Sequence, residues 1–149
     1  MKNKIKNLAI DATFVGSGGA INHLINLILF SKSSSIKFNY IYIWAPSEIL
    51  VNIPDRKYLI KKSNIFLNGP KIIKLLWCIF FMKRNLYASK IDILYVLNGI
   101  NFSRFSKFVG ISQNLLPFMS KQALRFINKP QFLCKLIVIK YLQLMSYKK

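Results

Sequence analysis

The sequence predicts an α/β domain built on a parallel sheet, and three observations predict it. Apolar, strand-like runs alternate with helix-period segments. The first two such runs are joined by a glycine loop and an amphipathic helix, and 53% of the 149 residues are apolar, enough for a sizeable core. A βαβ crossover of this kind returns the chain to the same end of the sheet, so the paired strands run parallel. The length suits one domain, spanning 1–149.

Ile5 to Asp11 is a short apolar run ending in a polar residue, and Gly16-Ser17-Gly18-Gly19 follows it. Ile21, Leu24, Ile25, Ile28 and Leu29 then repeat at the spacing of one buried helix face. Phe38 to Trp44 is β-branched and aromatic and closes at Ala45-Pro46, the pattern of a strand covered on both faces. From Ser47 to Gly69 the reading is coarse: a turn at Pro54 to Lys57, with Tyr58 to Ile60 and Asn64 to Leu67 as short elements. Gly69-Pro70 punctuates the chain, and Lys71 to about Lys90 is a helix with Ile72, Ile73, Leu76, Ile79 and Phe80 turned to the sheet. Asp92 to Leu97 and Phe108 to Asn114 fit two more parallel strands. After Lys129-Pro130, Gln131 to Lys149 is a helix striped by Leu133, Leu136, Ile137, Tyr141 and Leu144, with Ile139 and Leu142 off the stripe. A helix apolar nearly all round expects more protein, or an interface, against it.

Composition excludes several chemistries. Twenty-three Lys and Arg stand against four acids, Asp11, Glu48, Asp55 and Asp92, for a net charge of +19, and the acids are too scattered for a local carboxylate pair. Cys78, Cys134 and one His have no zinc-ligand spacing, so the cysteines read as reduced core thiols and no metal or cofactor is expected. The basic Met1 to Lys6 leads into Asp11 and glycines rather than a signal-peptide core, and runs such as Leu75 to Met82 fall short of the roughly 20 residues of a spanning helix. A cytoplasmic location follows as the expectation.

Ligands of open parallel sheets bind beyond the carboxyl ends of the strands. The glycine loop there allows close backbone approach, and the following helix offers N–H groups and a positive dipole end to an anion; the equal alternative is that the glycines simply make the tight turn between strand and helix. Two nucleotide motifs fail. Ile21 stands where the third glycine of G-x-G-x-x-G belongs, no acid lies between Asp11 and Glu48, and no Gly-Lys-Ser/Thr ends the loop. His23 lies opposite the apolar stripe of its helix, either plainly solvent-exposed or donating to a phosphate or sugar hydroxyl. Asn98, Asn101, Ser112, Gln113 and Asn114 are hydrogen-bonding groups at strand ends, suited to sugar hydroxyls or to turn-making.

The segment Ile10 to Leu24, IDATFVGSGGAINHL, resembles the opening strand, glycine loop and first helix of group 1 (family 4) glycosyltransferases. Asp92 to Gly99, DILYVLNG, with Phe108 to Phe118, FVGISQNLLPF, resembles a later block of the same family. That block usually reads aspartate, apolar strand, Pro-Gly-Gly, then a strand ending Ser-Gln-Asn-Met-Leu-Pro-Phe. The resemblance implies a Rossmann-like domain, the N-terminal, acceptor-side half of a two-Rossmann (GT-B) enzyme that moves a hexosyl group from a nucleotide-sugar donor to a glycan or lipid-linked acceptor of the cell envelope. It implies that Gly18 and Gly19 approach the donor phosphates and that His23, Asn98, Gly99, Ser112, Gln113 and Asn114 line the cleft.

Departures accompany it. Leu97 and Asn98 replace a proline and a glycine, and Met119-Ser120 follows Pro-Phe where many relatives carry an acid. The family's donor-binding domain and its paired glutamates fall outside 1–149, so the expectation is a truncated or split product, inactive alone, completed by a downstream frame. The +19 charge has three readings: a peripheral contact with anionic membrane at the inner face of the cell membrane, nonspecific polyanion binding, or an AT-rich coding sequence. No motif points to specific nucleic-acid recognition. The alternatives to the transferase are a basic, non-catalytic binding module and an inactive remnant.

Overall fold

The computed structural model describes residues 6–16, 18–30, 38–111, 116–119, 122, 125 and 128–147. Five strands, β1 (Lys6–Asp11), β2 (Phe38–Trp44), β3 (Leu59–Lys62), β4 (Ile93–Val96) and β5 (Phe108–Gly110), form one sheet in the order β3-β2-β1-β4-β5. All four pairings are parallel, with Ala9 opposite Tyr42 on one side and Leu94 on the other. The predicted α/β class and parallel sheet hold, and the architecture is Rossmann-like. The α-helices given by the described residues are α1 (Gly19–Phe30), α2 (Ser47–Leu50), α3 (Lys71–Trp77), α4 (Lys83–Ala88) and α5 (Pro130–Tyr147).

Side chains of successive strand residues leave on opposite faces, which makes two cores. On one, Ala9, Trp44, Leu94 and Val96 meet Trp77, Cys78, Met82 and Leu86 from the arm running from α3 to α4. On the other, Ile10, Ile41 and Ile43 meet Leu24 and Ile28 of α1 and Ile49 and Leu50 of α2. Burial on both faces explains why these strands read as unbroken apolar runs.

Three helical details differ from the periodicity reading. The arm after Gly69-Pro70 is not one α-helix: a π-helical segment, Cys78–Met82, separates α3 from α4. Its wider turn keeps Cys78, Met82 and Leu86, four residues apart, on one inward line with Trp77, while Ile72, Ile73, Leu76, Ile79 and Phe80 stay exposed. The arm ends on Lys90 at φ 51°, where the N–H groups of Lys90 and Ile91 donate to the carbonyls of Tyr87 and Leu86, the helix stop at which glycine is usual. On α5, Leu136 and Gln143 are buried and Ile139 and Leu142 half-buried, whereas Ile137, Tyr141 and Leu144 face out. Cys134 is exposed; only Cys78 is a core thiol.

Candidate functional site

The chain leaves β1 for β2 on one side and later returns to place β4 on the other, so the order reverses between β1 and β4. The loops after these two strands diverge there and open a crevice, the usual ligand position in such sheets.

The loop after β1 is built on Asp11. Its carboxylate is buried, and Oδ1 accepts the Thr13 N–H at 3.0 Å, while the Val15 N–H donates to the Ala12 carbonyl at 3.1 Å. Burial pushes the Asp11 carboxyl above its ordinary value, with Thr13 opposing. Burial, reinforced by the Asp11 charge, pushes the Cys78 thiol up too, so it stays protonated and unreactive. The turn then passes Gly18 at φ 94° into α1. A Cβ at Gly16, Gly18 or Gly19 would meet nothing within 4 Å. Gly18 is required by its backbone angle, whereas neither angle nor packing requires glycine at 19.

The loop after β4 is tied down at many points. Asn98 Oδ1 accepts the Ile100 N–H at 3.1 Å, and the Asn98 carbonyl accepts from Gln143 Nε2 of α5 at 3.2 Å. Gly99 sits at φ 72°, where a Cβ would lie 3.1 Å from Gln143 Nε2. Asn101 Nδ2 donates to the Phe105 carbonyl at 2.8 Å, its Oδ1 accepts from Ser103 at 2.7 Å, and its N–H donates to Ser146 Oγ at 3.1 Å. Asn101 is therefore spent on the loop, the turn-making role.

Between the loops lies a cavity of about 580 Å³. Phe14 and Val15 line it from the first loop, Ala20 from the start of α1, Asn98, Ile100 and Phe102 from the second loop, Lys71 and Ile72 from α3, and Lys135, Ile139 and Gln143 from α5. Gly18 and Gly19 fall between the lining residues Val15 and Ala20, and Gly99 between Asn98 and Ile100. A second apolar cavity of about 620 Å³ continues from it between α3 and α5, sharing Leu75, Ile100, Phe102 and Leu142. Two ammonium groups and two amides in an apolar wall suit an anion that carries hydroxyls or an apolar portion. The charged groups among the described lining residues are the two lysines, which supply binding and positive charge.

His23 does not join them. It is half-buried under α1, with Nε2 3.3 Å from the Tyr95 hydroxyl of β4, and lines a separate apolar cavity with Leu27 and Ile41. The helix packs through Leu24 and Ile28 of the expected stripe, with Ile21 and Leu27 against the same core, so the inner face is wide enough to take in His23, while Leu29 is exposed. Ser112, Gln113 and Asn114 lie outside the described residues. Among the described residues, no three His, Cys, Asp or Glu side chains group as metal ligands. Sequence reasoning missed Lys71, Lys135 and Gln143. Lys71 was within reach, as the first helical residue after Gly69-Pro70; the other two depend on how α5 lies, which no local pattern states. Compared with family models, curated proteins and solved structures, the chain matches none.

Proposed function

We propose that the chain is the acceptor-side half of a sugar transferase, moving a hexosyl group from a nucleotide sugar to a glycan or lipid-linked acceptor. The observation that carries this reading is the convergence of the open glycine loop, the Asn98 loop, Lys71 and Lys135 on one cavity at the strand-order reversal. Donor phosphates can approach the backbone at Gly18 and Gly19, where nothing fills the space a side chain would take. Lys71 and Lys135 add charge for the same phosphates or for an acceptor phosphate, and Asn98 and Gln143 offer amides to hydroxyls. The nucleotide itself is assigned to a second, donor-binding domain, and this chain's part is to seat the acceptor and face the phosphates.

Gly19→Val tests it. The added side chain enters open space, so folding persists while phosphate approach is blocked. With the chain expressed in its native genetic context, transfer of labelled sugar from a nucleotide-sugar mixture should fall at least about tenfold in the variant, a loss of about 1.4 kcal/mol of transition-state binding. Transfer that is absent with the wild-type sequence, or unaffected by Gly19→Val, overturns the proposal.

A further inference from the structure

We infer that the outer face of the arm from α3 to α4 is a docking surface for an anionic lipid bilayer, an assignment independent of sugar transfer. The arm's inner side is fully used: Trp77, Cys78, Met82 and Leu86 are buried in the core. On the opposite side Leu76 and Phe80, four residues apart, are 48% and 68% exposed, and Ile72, 72% exposed, stands where this side meets the crevice cavity, which it also lines. Large apolar side chains aligned on an outer face, rather than scattered singly, mark an interaction surface.

Charge selects the partner. Lys71, Lys83 and Arg84 are exposed on the same arm, and between residues 71 and 88 there is no acid. The four acids are all elsewhere: Asp11 buried at the end of β1, Glu48 on α2, Asp55 paired with Lys61, and Asp92 accepting the Asn7 N–H. A second copy of this face would set like charges against each other, and a nucleic acid would leave the ridge uncovered. An anionic bilayer satisfies both: the ridge enters the boundary between headgroups and acyl chains, and the long basic side chains reach lipid phosphates. None of the described helices is long and apolar enough to cross a membrane, so the contact lies along the surface. Lys71 and Leu75 of this arm also line the crevice cavity, which brings the cavity beside the bilayer.

The test is cosedimentation of the full chain with vesicles of phosphatidylcholine alone or mixed three to one with phosphatidylglycerol (about 25% anionic lipid). Binding is expected to the anionic vesicles, at least about tenfold weaker to the neutral ones and weakened by salt. Phe80→Asp and Leu76→Asp should each cut anionic-vesicle binding about tenfold or more with unchanged circular dichroism. Val51→Asp, at an equally exposed apolar residue beside α2, adds the same charge and should cost far less. Equal losses for Val51→Asp and Phe80→Asp would mean net charge alone drives binding and would overturn the assignment. So would failure to bind anionic vesicles, or a wild-type dimer in sedimentation equilibrium that Phe80→Asp converts to monomer.

Discussion

The two loops that wall the crevice are built on opposite plans. After β4, Asn98 to Phe105 is held by its own buried hydrogen bonds and bolted to α5 through Gln143 and Ser146. After β1, past the Asp11–Thr13 and Ala12–Val15 bonds, the glycines are exposed and have open space around them. One wall is fixed before any ligand arrives; the other leaves its backbone accessible. A site that combines a rigid wall with an open glycine wall can position one ligand while backing closely onto another.

Substitutions in the two loops should break or sharpen that contrast. The largest effect is expected at Gly99→Val, where φ 72° and the nearby Gln143 amide both oppose a branched side chain: a loss of about 3 kcal/mol by denaturant unfolding. Asn101→Ala removes two buried side-chain bonds, taking the acceptor from the Ser103 hydroxyl proton and the Asn101 donor from the Phe105 carbonyl, costing about 2 kcal/mol.

Asp11 gives a slope rather than a step. Its carboxyl titrates higher in the folded chain than its ordinary 3.8, so between those two values the folded state holds more protons than the unfolded one. The stability this supplies is complete below pH 3.8 and lost as pH rises through the folded value. Thermal melts of Asp11→Asn across the acid range should lack that decline, while Asn can keep the Thr13 bond. The smallest effect is expected at Gly19→Ala, within about 0.5 kcal/mol of wild type and tending toward stabilisation at the helix start. A large loss there would erase the contrast between the loops.

Strands were legible because β1, β2 and β4 are covered on both faces and so declare themselves as apolar runs. The glycine turn was legible from Gly18, and the Asn98-Gly99 turn from its dipeptide. Helix faces were not. On the arm, apolar residues occupy every side, and the π segment holds Cys78, Met82 and Leu86 on one inward line that a 3.6-residue period does not predict. On α5 the inward face centres on a polar residue, Gln143, whose bond to the Asn98 carbonyl sets the helix's rotation. Hydrophobic periodicity has no means of registering that. The same blindness hid Lys135 and misplaced His23, whose orientation follows the Tyr95 hydroxyl.

The strand order carries a consequence for the growing chain. β1 pairs early with β2, and β2 with β3, whose residues end at Lys62, but the other edge of β1 must wait for β4, which ends at Val96. Through that interval of synthesis the central strand offers a bare row of N–H and C=O groups flanked by apolar side chains. The hazard is thus one of timing: the interior strand of the finished sheet is, while the chain is being made, its most adhesive edge.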